Sequence, residues 1–450
     1  MDNTKYPSTV ALSSSLKVAM EKIEKNSLGA LVVIDSDNKV LGVLTDGDIR
    51  RYFLAGGQIN DKVSRCLNEN CTVVTADTSR EHLLKLLDNG IRIIPVVTND
   101  RTLVEVYHSK NIPQPRTCAV SSRAKAPVRL SFGGGGSDLT NHFMKDVGFT
   151  LNSSISLFSH ATLIKRPSSK ITISSIDINS EIEFSSIEEL TQFNRSDHSL
   201  RLLLAVIKIV KPTFGFHLIL HSDYPICSGL GGSAAVSAAI LGCFNEFRET
   251  KWTKHQIAEL AFEAERIELG IKGGWQDQYV TCVGGFCFME FNKDKNYIQA
   301  LKLEGNTIDE LEANLVLCFT GDTHDSGKIH SGARSQSALT KSAEIARVMA
   351  QTLARGNTKE FGELIDEAWQ IKRRQNNSVS SPKLDKLYQE AINAGATGGK
   401  LLGAGGGGFF LFIVPPENRI LFNSFLNTHG LKSYPFNFSD AGLKSWKVTG

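Results

Sequence analysis

The chain has 450 residues, with Lys+Arg 50 against Asp+Glu 47 and a net charge of +3, which allows two or three domains and argues against a dedicated nucleic-acid binder. No apolar run reaches the length of a membrane span, so no membrane partner is expected. The start, Met1-Asp2-Asn3-Thr4-Lys5, lacks the features of a secretory signal, and the 8 cysteines include no Cys-x-x-Cys pair, so free thiols and a cytoplasmic setting are expected.

The chain begins with a weak internal repeat. Leu16 to Asn26 reads as a helix, followed by the strand Ala30 to Ile34, a polar turn and the strand Val40 to Leu44. Glu81 to Asn89 again reads as a helix, followed by the strands Ile91 to Val97 and Thr102 to Tyr107. The first copy ends Gly42-Val43-Leu44-Thr45-Asp46-Gly47-Asp48, which resembles the end of a CBS motif. That resemblance implies a tandem CBS module over residues 1–115, with Thr45 and Asp48 holding the ribose of an adenosine nucleotide. The second copy has Val104-Glu105-Val106-Tyr107-His108 at the matching place and lacks Thr-x-x-Asp. The alternative is a module that only mediates oligomer contacts. Asn111 to Thr117, with two prolines, reads as a linker.

Three glycine clusters follow. The first is Val128-Arg129-Leu130-Ser131-Phe132-Gly133-Gly134-Gly135-Gly136-Ser137-Asp138-Leu139. The second, Pro225-Ile226-Cys227-Ser228-Gly229-Leu230-Gly231-Gly232-Ser233-Ala234-Ala235, lies between the strand-like run Phe216 to Leu220 and a small-residue helix, Ala234 to Phe247. A glycine turn opening a helix leaves backbone N–H groups without intrahelical partners at the positive end of the helix dipole, which makes a phosphate cradle. Pro225, Ser228, Gly229, Leu230, Gly231, Gly232, Ser233 and Ala234 are therefore the candidate ATP-binding residues. The Ser233 hydroxyl can reach a magnesium ion on the same phosphates. The third cluster is Gly399-Lys400-Leu401-Leu402-Gly403-Ala404-Gly405-Gly406-Gly407-Gly408-Phe409. Glycines of this kind serve close ligand approach or close strand packing, and both readings stay open here.

In this order the clusters resemble the three signature motifs of the GHMP kinases, from Ser121 to the C-terminus. The resemblance implies an α/β (α+β) class and a two-lobed kinase, with an N-terminal lobe over 116–300 and a C-terminal lobe over 301–450. It implies ATP as co-substrate, with magnesium held by Ser233 and Glu265. Glu265 is preferred to Glu268 on the predicted helix Lys254 to Gly270. Asp277, in Gly273-Gly274-Trp275-Gln276-Asp277-Gln278, matches the catalytic aspartate that receives or orients the acceptor hydroxyl. Arg129 stands where the family has its basic partner. Gly135, Gly136, Ser137, Asp138, Gly274, Gly405 and Gly406 are expected around the acceptor. A carboxylate such as Asp138 suits vicinal sugar hydroxyls.

The Gly-Gly-Gly-Ser-Asp-Leu form, Gly-Gly-Trp-Gln-Asp-Gln and Glu367-Ala368-Trp369-Gln370-Ile371-Lys372-Arg373-Arg374 are similar to the D-glycero-D-manno-heptose 7-phosphate kinase branch. That implies transfer to the anomeric hydroxyl, giving a 1,7-bisphosphate. Lys372 and Arg373 are then candidates for the sugar phosphate, or a solvated helix face. An L-fucose-type kinase is the neighbouring reading, and a non-catalytic nucleotide sensor a reading of another class. A homodimer is expected. A dinucleotide-binding reading of the turn at Gly229 fails, because the chain stays helical in pattern where it needs a second strand.

Overall fold

Period-two alternation divides the strands of the N-terminal repeat between two cores. On the strand Ala30–Ile34, Leu31 and Val33 pack with Leu16, Ala19 and Ile23 of the helix Leu16–Asn26. Ala30, Val32 and Ile34 point the other way and share a core with Ile93, Val97, Leu103 and Val106 of the second copy. The computed structural model describes residues 7–113, 119–193, 200–321 and 335–449, and the chain divides into two compact units, 1–117 and 118–450.

In the first unit, Thr9–Ala11 pairs in parallel with Ala30–Ile34, which pairs antiparallel with Val40–Thr45. The second copy has the helix Arg80–Asp88 and the antiparallel pair Ile93–Val97 with Leu103–His108. A single parallel bridge, Val74 with Val96, stands in for its first strand. The expected linker at 111–117 lies partly outside the described residues.

In the second unit the strand Gly148–Lys165 is the spine of an eight-stranded sheet. Along one edge it pairs antiparallel with Ala119–Gly133. Its other edge is shared, Gly148 to Ser153 with Phe286–Phe291 and Ser159 to Lys165 with Phe216–Ser222. The helix Gly232–Asn245 is apolar all round and almost wholly buried, as a helix packed on every side must be. A four-stranded antiparallel sheet follows, in the order Gly398–Leu401, Phe409–Ile413, Leu315–Phe319, Lys432–Ser433. Here too alternation divides a strand, since Phe409 and Leu411 join the larger core while Phe410 and Phe412 pack with Trp369 and Phe422. The expected division at residue 300 does not hold for the last strand. Lys444–Thr449 returns to pair with Ala119–Gly133, because that strand's outer edge needs a hydrogen-bonding partner. Among the described residues no helix is long and apolar enough to cross a membrane.

Candidate active site

The strand Phe216–Ser222 delivers the chain to the loop ahead of Gly232–Asn245, whose N-terminus has no side-chain cap. Its first-turn amides are the groups a helix leaves unpaired. Gly231 has a φ of 76°, and a Cβ there would lie 3.1 Å from the Asp277 carboxylate, so glycine is required for the loop to approach that side chain.

Arg129 joins the first two glycine clusters to Asp277. It is 3% exposed. Its Nε and Nη2 donate to the two Asp277 oxygens at 2.8 Å each, and Nη1 donates to the Gly229 carbonyl at 2.8 Å. This fork is the geometry that arginine provides and lysine does not. One side chain thereby sets the distance between the phosphate loop and the carboxylate.

Asp138 lies beside this pair and is 2% exposed. It accepts from the backbone N–H of Gly136 at 3.0 Å and of Gln276 at 3.2 Å. A Cβ at Gly274 would come within 1.8 Å of its Oδ2, which is why Gly274 is a glycine. Burial, and then the charge of Asp277, push its carboxyl above the ordinary carboxylate range. Two backbone donors do not fill the acceptor capacity of a carboxylate.

The helix predicted over Lys254 to Gly270 is α-helical over Lys254–Phe262 and then widens into a π-helical segment, Glu263–Glu268. Glu265 is buried within that segment, whereas Glu268 is exposed. Glu265 accepts from Gln278 Nε2 at 3.0 Å and pairs with Arg266 Nη1 at 3.1 Å. Among the described residues no group of three His, Cys, Asp or Glu side chains is placed to hold a metal by itself. Magnesium commonly takes one or two carboxylates and completes its shell with water and substrate phosphates. Glu265 and Ser233, one carboxylate and one hydroxyl, line the same cavity, and donors of these types suit such an ion.

That cavity has a volume of about 610 Å³. Of the residues expected in the site, Arg129, Gly135, Gly136, Asp138, Ser228, Gly229, Gly231, Gly232, Ser233, Glu265, Gly274, Asp277, Lys372 and Gly405 line it. Others do not. Leu230 and Ala234 are fully buried beneath the loop, and Pro225 stands outside the lining. The Ser137 hydroxyl closes its own turn, its oxygen lying 2.8 Å from the carbonyls of both Gly134 and Phe149, which share its single proton. The Gly406 amide is engaged by the Val379 carbonyl at 2.8 Å. Arg373 faces a separate depression with Arg374 and Ser380, where it pairs with Asp385 at 2.9 Å. The Lys372 ammonium donates to the carbonyls of Leu401 and Gly403 at 2.9 and 2.6 Å, so it clamps the third glycine loop. That loop also packs on the second, since a Cβ at Gly403 would lie 2.5 Å from the Gly229 Cα.

Two features of the lining are not anticipated from the sequence. Lys400 is a buried cation on the strand Gly398–Leu401, and its signal was a lone charge in an otherwise uncharged strand. The far wall, with Ser175, Asp177 and Arg201, carries no motif. In the first unit, Thr45 caps the helix Asp46–Leu54, and Thr45 and Asp48 complete a capping box, with Oγ1 of Thr45 2.6 Å from Oδ2 of Asp48. The other Asp48 oxygen is paired with Arg51.

Comparison with known proteins agrees with this geometry. The GHMP kinases N terminal domain matches residues 200–285, the GHMP kinases C terminal domain 349–422, and the CBS domain 3–55 and 63–112. The D-glycero-alpha-D-manno-heptose 7-phosphate kinase of Campylobacter jejuni is 35% identical over 335 residues, 72% of this chain and 99% of that protein. The bifunctional fucokinase/GDP-fucose pyrophosphorylase of Arabidopsis thaliana is 26% identical over 70% of this chain and 31% of its own length. The crystal structure of a D-glycero-D-manno-heptose 1-phosphate kinase from Bacteriodes thetaiotaomicron superposes with a TM-score of 0.62 at 29% identity, covering 73% of this chain and all of that one. A kinase fold, a helix N-terminus facing a carboxylate–arginine pair, and these matches identify the chain as a member of the GHMP kinase family, an ATP-dependent sugar kinase with two CBS domains at its N-terminus.

Proposed function

We propose that this chain transfers the γ-phosphoryl group of ATP to the anomeric hydroxyl of D-glycero-D-manno-heptose 7-phosphate, giving the 1,7-bisphosphate and ADP. The observation that carries this reading is the buried Asp138 carboxylate, with acceptor capacity left over, beside an Asp277 held at both oxygens by Arg129. Asp138 accepts from sugar hydroxyls. Asp277 orients the anomeric hydroxyl, whose oxygen attacks the γ-phosphorus. The bond to the β–γ bridging oxygen breaks, ADP leaves, and the hydroxyl proton passes to Asp277. The amides at the start of Gly232–Asn245 take the nucleotide phosphates. Ser233 and Glu265 would hold magnesium, which supplies charge neutralisation on those phosphates.

The test is an ADP-release screen over heptose, fucose, galactose and their phosphates, with the product's phosphate located by phosphorus NMR. Release with the 7-phosphate and a new resonance at C1 supports the reading. Release with free L-fucose alone replaces the substrate with that of a fucose-type kinase. We further propose that the chain works in the cytoplasm as a dimer, with an adenosine nucleotide at Thr45 and Asp48 of the first CBS repeat. Titration of the full chain with AMP, ADP and ATP, followed by calorimetry and by light scattering, tests the nucleotide and the dimer.

A further inference from the structure

Lys400 is 4% exposed and lines the cavity. Its side chain leaves the four-stranded sheet and reaches the eight-stranded one, where Nζ donates to the Phe132 carbonyl at 2.7 Å. An ammonium has three donors. Among the described residues Nζ has no second acceptor and no carboxylate partner. Lys372 differs, since it donates to two carbonyls and ties down a loop. An isolated buried cation is costly, and proteins normally pair it or let it lose its proton.

Asp138, Asp277 and Glu265 line the same cavity, but among the described residues none of them forms an ion pair with Lys400. Arg129, on Ala119–Gly133, is a second cation, and its charge is met by Asp277. The helix Thr358–Arg373 presents Lys372, while its Asp366 is hydrogen-bonded by Tyr388. The neighbouring strand Phe409–Ile413 carries no charged residue. Burial, and then Arg129, bring the pKa of the Lys400 ammonium down to about 7.

We propose that Lys400 is a phosphate-contacting residue of the kinase, its two remaining donors meeting a phosphoryl oxygen bound in the cavity. The proposal rests on the kinase reading above and adds a cationic contact to the backbone amides at the start of Gly232–Asn245. The phosphoryl group belongs either to ATP or to the sugar phosphate. Burial disfavours the charged form of Lys400, so an arriving anion is expected to draw a proton onto it.

The experiment is calorimetry on the full chain at pH 7.5 in two buffers of different ionisation enthalpy. The titrants are magnesium-ADP, inorganic phosphate and D-glycero-D-manno-heptose 7-phosphate. Wild-type protein is expected to take up a fraction of a proton with at least one of them. Lys400→Met is expected to abolish that uptake and to weaken the same titrant roughly 10- to 100-fold, the usual effect of losing a charged hydrogen bond. Weakening of ADP assigns the contact to the nucleotide, and weakening of the heptose phosphate assigns it to the acceptor. If Lys400→Met fails to fold by circular dichroism, Lys400→Arg carries the measurement. A guanidinium is charged in both states, so proton uptake should vanish while anion affinity persists. Unchanged uptake and affinity in a folded variant overturn the contact. If wild-type protein phosphorylates no sugar yet its phosphate binding still depends on Lys400, the substrate reading falls and the contact stands.

Discussion

The Thr45–Asp48 motif and the Arg129–Asp277–Asp138 site are both polar constellations that the sequence singles out, yet they differ in how their groups are satisfied. Thr45 and Asp48 bond each other's backbone and side chains, and Asp48 has Arg51 as well. These groups already serve one another as a helix cap, so the nucleotide proposed there would have to meet groups that are paired in its absence. Around Asp277 the groups are buried and only partly paired. Asp138 has two backbone donors, and Lys400 has one carbonyl. The contrast teaches that polar groups left short of partners inside a cavity point to a ligand more strongly than residue identity does.

The sharpest way to break the contrast is Asp277→Asn. It should lower turnover by about 100-fold or more while ATP binding is kept, as loss of a catalytic carboxylate does. Near-normal turnover in steady-state assays would remove Asp277 from the chemistry. Next come Ser233→Ala and Glu265→Gln, each expected to raise the magnesium needed for half-maximal activity by roughly 10-fold. A magnesium titration identical to wild type for both variants would leave the ion without these ligands.

Asp138→Asn separates function from stability. The native state raises the pKa of this carboxyl, so it favours the protonated form. That contribution is present below the ordinary carboxylate pKa and is lost as pH rises through the raised value, each tenfold difference in proton affinity between native and unfolded chains being worth about 1.4 kcal/mol. The amide variant should therefore unfold at a higher temperature than wild type at pH 7.5, with the advantage shrinking toward pH 4, while its sugar KM rises. Equal melting temperatures at both pH values would show that the buried charge carries no such cost.

The smallest effect is expected at the cap. Thr45→Ala should destabilise the first unit by about 1 kcal/mol, the usual loss for an N-cap, with sugar phosphorylation unchanged. Loss of adenosine-nucleotide binding in the same variant, followed by calorimetry, is expected from the nucleotide proposed at Thr45 and Asp48, and unchanged nucleotide binding would leave the motif a cap alone.

Much of the site was legible in the sequence. Arg129, Asp138, Ser228, Gly229, Gly231, Gly232, Ser233 and Asp277 stand in or beside glycine-rich segments, and all line one cavity. Glu265 was preferred to Glu268 by resemblance alone, since several glutamates share that helix. The π-helical widening at Glu263–Glu268, which simple helical periodicity does not anticipate, accompanies its burial. Arg373 stayed open between a sugar-phosphate contact and a solvated helix face, because a basic run on a helix gives no information about which residue faces which groove. A single residue step, about 100° of helix rotation, separates Lys372 at the cavity from Arg373 at the depression around Asp385.

Local information determined the alternating strands, the two CBS-like copies, the capped helices and the glycine turns, because each depends on side-chain periodicity or backbone freedom within a few residues. Only the tertiary structure decided the rest. It brought Arg129 to Asp277 across 148 positions of the chain and Lys400 to the Phe132 carbonyl across 268. It also returned the last strand to the first sheet of the kinase unit. These outcomes depend on which sheet edges and buried charges meet once the chain has closed on itself, and no local pattern encodes that meeting.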